Sequence, residues 1–418
     1  MPKPVPVLSR RSLIVTTTAT LAVLASALPA AAASGTSGVT GATGAGATAR
    51  RRGASEPFVS GTEGYDTFRI PAVLTTPSGT VLAFAEGRVG GSSDTGDIDV
   101  VVRRSRDGGR TWGPLILVAK GDGDVRGNPA PVIDPATGRL VLLTCYNAGD
   151  ATEAEITAGL VPAEDSRRVF VQFSEDDGRT FSEPREITAD VKRPDWRWYA
   201  TGPCHAIALT HGRYAGRLVV PANHSAAPPE GSTDTGGEHK YLGAHCLISD
   251  NGGEDWRIGF VDNSYEGVLN GNESVAAELP DGRIYFNTRD HNGTSTGARA
   301  DAVSSDGGET LDAPYAMQPS LDDAPVVQCS ALQLEGRKAP LLFSGPSVPT
   351  ARRALALWRS DDDGGSFRKV ETLSEDPAAY SDLVQLDRHT LGVLYETGAE
   401  GPYEKIEFRR IPIAELRD

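Results

Sequence analysis

Short apolar runs organise this chain. Ile98-Asp99-Val100-Val101-Val102, Arg139-Leu140-Val141-Leu142-Leu143, Arg217-Leu218-Val219-Val220, Arg283-Ile284-Tyr285-Phe286 and Thr390-Leu391-Gly392-Val393-Leu394-Tyr395 are rich in β-formers and bounded by Gly, Asp or Pro, which is the signature of strands. Nothing long reads as a helix, so the pattern predicts an all-β protein. One longer apolar stretch lies near the start, from Leu13 to about Leu28, after Arg10 and Arg11 and before the small residues Ala30 to Ala33. It predicts a cleaved signal peptide over residues 1–33, and Ser9-Arg10-Arg11-Ser12-Leu13-Ile14 has the look of a twin-arginine signal. Four threonines and Pro29 interrupt the stretch, which disfavours a retained span of about 20 apolar residues. The expectation is a secreted protein with a flexible leader over 34–54, a folded domain over 55–418 and no membrane span in the mature form.

A repeat sets the architecture. Five segments, beginning at Ser105, Ser174, Ser249, Ser304 and Ser360, follow Ser-x-Asp-x-Gly-x-Thr-aromatic with some drift: Asn251 and Asp255 replace the Asp and Thr of the third, and the fourth ends in Leu311. Such a segment suits a strand entering a tight turn, with the Asp accepting backbone N–H bonds and Gly supplying left-handed dihedrals. The intervals, roughly 55 to 75 residues, each fit one four-stranded antiparallel sheet with its loops. Six such units would fill the folded part, so the prediction is a six-bladed β-propeller of four-stranded sheets.

Charge and cysteine content narrow the classes. A formal net charge of -15 repels polyanions, and Arg50-Arg51-Arg52 is followed by no basic or aromatic patch, so no nucleic-acid partner is expected. Cys145, Cys204, Cys246 and Cys329 would permit one or two disulfides in an exported chain. No CxxC or HExxH spacing is present, so neither a metal nor a cofactor is expected.

The repeats resemble the Asp box of the sialidase family, which several other propeller proteins share. Tyr65-Asp66-Thr67-Phe68-Arg69-Ile70-Pro71-Ala72 resembles that family's Phe-Arg-Ile-Pro motif, and Arg289 and Arg352 match its other two triad arginines. Arg352 is preferred to Arg353 on strand alternation. The resemblance implies an exo-α-sialidase acting on sialylated glycans. Sialic acid carries a carboxylate on its anomeric carbon, and guanidinium forks suit carboxylates. The same carboxylate repels an anionic attacker, and sialidases use a tyrosine instead.

Tyr380 matches the tyrosine nucleophile, and Glu273 matches the carboxylate that activates it. Asp94 aligns with the acid/base in the glycine-rich loop 87–99, with Asp97 and Asp99 as rivals. Arg88 matches a residue that reaches the sugar, and Glu396 one that braces a triad arginine. Where many relatives have Asp before Pro129, this chain has Asn128. A monomer is expected. A sialoglycan-binding propeller lectin and a trans-sialidase remain alternatives; Trp196 and Trp198 would frame an acceptor in the latter, or simply pack the blades.

Overall fold

The computed structural model describes residues 53–416 apart from residue 337, so the expected signal peptide and nearly all of the expected leader lie outside the described residues. Among the described residues antiparallel strands dominate, and the α-helices are short, Glu153–Thr157 and Thr188–Val191. Inner strands such as Thr67–Thr75 and Val81–Arg88 are buried along almost their whole length. Both of their faces are covered, which explains why the sequence showed continuous apolar runs rather than a strict two-residue alternation.

The innermost strands are Thr67–Thr75, Val125–Ile133, Trp196–Thr201, Gly271–Glu278, Ser330–Gln333 and Ala378–Asp387, and they follow one another round a β-propeller. Ala54–Val59 closes the ring by pairing with Lys405–Pro412, in the sheet that also holds Thr390–Thr397 and Ala378–Asp387. The predicted count of six four-stranded sheets is corrected. Four blades are discrete, three of four strands and one of five, and the remaining strands form a single eight-stranded sheet. Its two parts are joined by the parallel bridge between Ile98 and Val125 and by the Ile98 N–H donating to the Asp124 carbonyl at 3.0 Å. The spacing of repeated turns counts hairpins and is blind to a backbone bond between neighbouring hairpins.

The five repeated turns share one hydrogen-bond circuit. In the first, Ser105 Oγ donates to Asp107 Oδ1 at 2.8 Å and accepts from Gly109 N at 2.7 Å, while Thr111 N donates to Asp107 Oδ1 at 2.9 Å. Gly109 has φ +82°, and a Cβ there would strike Phe408 of the last sheet. The third turn reverses one polarity: Asn251 Nδ2 donates to Asp255 Oδ2 at 2.8 Å, so the two departures from the repeat compensate each other. The permitted disulfides are absent, since all four cysteines are buried free thiols.

Trp196 packs into a blade core, stacked on His224 at 3.9 Å. His224 and His245 share a 3.1 Å Nδ1···Nδ1 hydrogen bond. Burial, then the charge of Arg193, holds His224 down at about 3, and burial likewise pushes His245 well below its ordinary value. The unfolded chain takes up these protons near pH 6.5, whereas the folded one resists, so stability present above about pH 6.5 is lost as pH falls towards 3. At about pH 4.5 the loss from His224 alone is roughly 2 to 3 kcal/mol. A His224→Asn variant is expected to lose less urea resistance than the wild type on going from about pH 7 to 4.5; equal losses would clear this pair of the effect.

Candidate functional site

Four of the inner strands share a departure from regular pairing near one end. Register shifts fall between Arg69 and Ala72, Gly127 and Ala130, Gly271 and Ser274, and Ala378 and Ser381. A bulge re-aims side chains that strand alternation would hide between blades. Two bulges force residues into left-handed backbone, Ile70 at φ +57° and Asn128 at φ +54°. For a β-branched residue such as Ile70 this costs about 1 to 3 kcal/mol. The Ile70 N–H is held by Glu396 Oε1 at 2.9 Å, and that of Asn128 by Glu86 Oε1 at 2.8 Å.

These bulged segments line one cavity. Arg69, Arg88, Asp94, Glu273, Arg289, Arg352 and Tyr380 all face it, together with Glu86, Asn128, Glu153, Arg167, Trp198 and His291. Glu396 lies behind the wall, fully buried, and accepts from Arg69 Nε at 3.2 Å and from Tyr380 N at 3.1 Å. Arg353 points elsewhere, to the Glu375 carbonyl. Asp97 and Asp99 are used locally: Asp97 accepts from Gly123 N, and Asp99 from Gly121 N and the Tyr65 hydroxyl.

Tyr380 donates its hydroxyl to both Glu273 oxygens, at 2.7 and 2.8 Å, and Arg289 Nη1 pairs with Glu273 Oε2 at 2.7 Å. The guanidinium carbons of Arg69 and Arg352 stand 5.2 and 5.7 Å from the Tyr380 ring centre. Burial, then the Glu273 charge, pushes the phenol well above its ordinary value against the pull of Arg289, Arg69 and Arg352. The phenol therefore carries its proton at neutral pH. Arg69 Nη2 and Arg289 Nε are buried without a hydrogen-bond partner, an arrangement that costs free energy unless an acceptor arrives.

Asp94 projects into the mouth, its side chain 69% exposed, with Oδ1 2.7 Å from Arg88 Nη1 and 3.5 Å from Arg69 Nη1. The surrounding protein would lift its pKa, but Arg88 and Arg69 outweigh that and hold it below the ordinary carboxylate value.

Several residues facing or supporting the cavity escaped the sequence reading. Tyr403 accepts from Arg352 Nη1 at 2.8 Å and lies under the Arg69 guanidinium, 4.2 Å from its ring centre. Arg167 donates to the side-chain oxygens of Asn128 and Asn147 and to the Tyr199 carbonyl, and stacks on Trp198. Glu86 was legible in principle, as the one acid in the apolar run Val81–Arg88. Nothing in the sequence distinguishes Tyr403 or Arg167 from surface residues.

The profile of the BNR repeat-like domain family matches residues 79–393. The chain belongs to this family. Its relatives within the sialidase family include a sialidase of Micromonospora viridifaciens, 32% identical over 81% of this chain and 51% of that protein. A Bacteroides fragilis sialidase is 27% identical over 81% of this chain and 61% of that protein, and an Aspergillus fumigatus exo-alpha-sialidase 28% identical over 84% and 85%. The BNR-repeat chain thus spans about half the length of the first and three-fifths of the second. Among solved structures, the Hadza microbial sialidase Hz136 aligns with a TM-score of 0.73 at 26% identity, over 87% of this chain and 69% of that one. The intramolecular trans-sialidase of Ruminococcus gnavus aligns with a TM-score of 0.72 at 20% identity, over 87% and 98%, a likeness of fold.

Because Glu396 neutralises Arg69 and also holds two backbone N–H groups, Glu396→Ala is expected to destabilise this BNR-repeat protein by about 3 to 5 kcal/mol in denaturant unfolding. A loss under about 1 kcal/mol would mean that Arg69 finds other compensation.

Proposed function

We propose that this protein is an exo-α-sialidase that releases terminal sialic acid from glycoconjugates with retained configuration. The observation that carries the reading is the Tyr380 hydroxyl bonded to Glu273 among Arg69, Arg289 and Arg352. The substrate carboxylate engages the guanidinium forks, including the unspent donors of Arg69 and Arg289, which fixes the anomeric carbon near Tyr380. The phenol attacks as Glu273 takes its proton, so no full anion has to approach the sugar's own carboxylate. Asp94 gives a proton to the departing oxygen, then removes one from the water that frees the sugar, while Glu273 returns its proton to the departing Tyr380 oxygen.

Asp94 must be protonated to act, yet in the free protein its neighbouring arginines favour the anion. A substrate carboxylate on Arg69 spends part of that attraction and adds a like charge, so binding raises the Asp94 pKa. A lectin would need the arginines but neither the Tyr380–Glu273 pair nor a mouth acid. Transfer to an acceptor uses the same first half-reaction, and product analysis with added lactose separates it from hydrolysis.

With a fluorogenic sialoside, Tyr380→Phe is expected to lose roughly 10³-fold or more in kcat, and Asp94→Ala about 10²- to 10⁴-fold on sialyl-lactose. Full activity in either variant would remove that residue from the reaction. Binding of an unreactive unsaturated sialic acid analogue is expected to take up protons and to tighten as pH falls towards the ordinary carboxylate range; calorimetry there showing no proton uptake would sink the coupling. We also propose export through the N-terminal signal, to be checked by the mass of the protein recovered from culture medium, where an intact Met1 terminus would contradict it.

A further inference from the structure

Glu86 is 3% exposed and is the one carboxylate in the strand Val81–Arg88. Its Oε2 accepts from Arg88 Nε at 3.1 Å and Nη2 at 2.6 Å, so it grips one edge of the guanidinium. The opposite edge gathers the mouth loop: Arg88 Nη1 donates to the Ser92 carbonyl at 2.6 Å and the Ser93 carbonyl at 2.9 Å, and pairs with Asp94 Oδ1 at 2.7 Å. Arg88 is thus a rigid plate with Glu86 on one side and the Asp94 loop on the other. A guanidinium held at one edge by a fork has little freedom to turn.

The other carboxylate oxygen takes the N–H of bulged Asn128, as above, and the space it fills is kept open by Gly127, where a Cβ would strike Glu86 Oε1. Glu396 likewise serves an arginine and a bulged N–H, those of Arg69 and Ile70, but through a single oxygen and a single guanidinium bond. A further difference lies downstream, because beyond Arg88 hangs a loop whose side chain is exposed.

We infer that Glu86 is a positioning residue for proton transfer: through Arg88 it fixes where the Asp94 carboxyl stands relative to the leaving oxygen. This rests on the reading of Asp94 as the acid. It also assigns Glu86 a balancing charge, since without it Arg88 would bind Asp94 as an uncompensated cation and hold its proton off more strongly.

The test is Glu86→Gln, which keeps the shape and an oxygen for the Asn128 N–H while removing the charge that grips Arg88. A leaving group that needs a proton should feel the change and one that does not should be spared. The expected result is a loss of roughly 30-fold in kcat with sialyl-lactose and under about 3-fold with an aryl sialoside of acidic phenol, with partial recovery in Glu86→Asp. Equal losses on both substrates, or none, would overturn the proposal. Hydrogen exchange over residues 90–97 gives a second reading independent of turnover: it should quicken in Glu86→Gln, and unchanged exchange would overturn the assignment. If the wild type cleaves neither substrate, the hydrolase reading fails on its own, while the exchange measurement still decides whether Glu86 holds the loop.

Discussion

A guanidinium can be taken out of water only if something fixed replaces the lost hydration, and the mouth of this propeller is organised around that demand. Arg69, Arg88 and Arg289 are met by Glu396, Glu86 and Glu273. Glu396 and Glu86 also take the N–H of a residue in left-handed backbone. One carboxylate therefore meets two costs, the isolated charge and the strained bulge. Asp382 plays a related part on the last inner strand, accepting from Val73 N, His205 N and Ser330 Oγ across three other segments of the ring.

Two cavity arginines stand outside this scheme. Arg352 is held by the Tyr403 phenol and the Val326 carbonyl, and Arg167 by amide and carbonyl oxygens, so neutral acceptors position them without cancelling their charge. Positive charge is concentrated at these two guanidiniums, although Asp94 and Glu153 also face the cavity, in a chain whose formal charge is -15. A cavity focuses its own field, so an anion can be drawn to the mouth while the outer surface repels polyanions.

What could be read from the sequence was whatever is carried by local chemistry. The strands announced themselves through apolar runs, the turns through Ser, Asp and Gly at fixed offsets, and Arg69 through an unlikely position between Phe68 and Ile70. The sheet count could not be read, because the Ile98 to Val125 bridge is a backbone contact with no side-chain signature. Tyr403 and Arg167 were invisible for a similar reason: the folded ring, and no local motif, brings Tyr403 against Arg69 and Arg352, and Arg167 against Asn128. The expectation of export allowed for disulfides, but the four cysteines pack as small apolar side chains within separate strands and linkers.

The longest departure of strand order around the ring from order along the chain is where Ala54–Val59 lies beside Lys405–Pro412. The first described strand to be synthesised must therefore wait for the last before that pairing can form. No amount of early folding can complete the circle, and the geometry of the mouth, which depends on strands far apart along the chain, comes into being only once Lys405–Pro412 has been made.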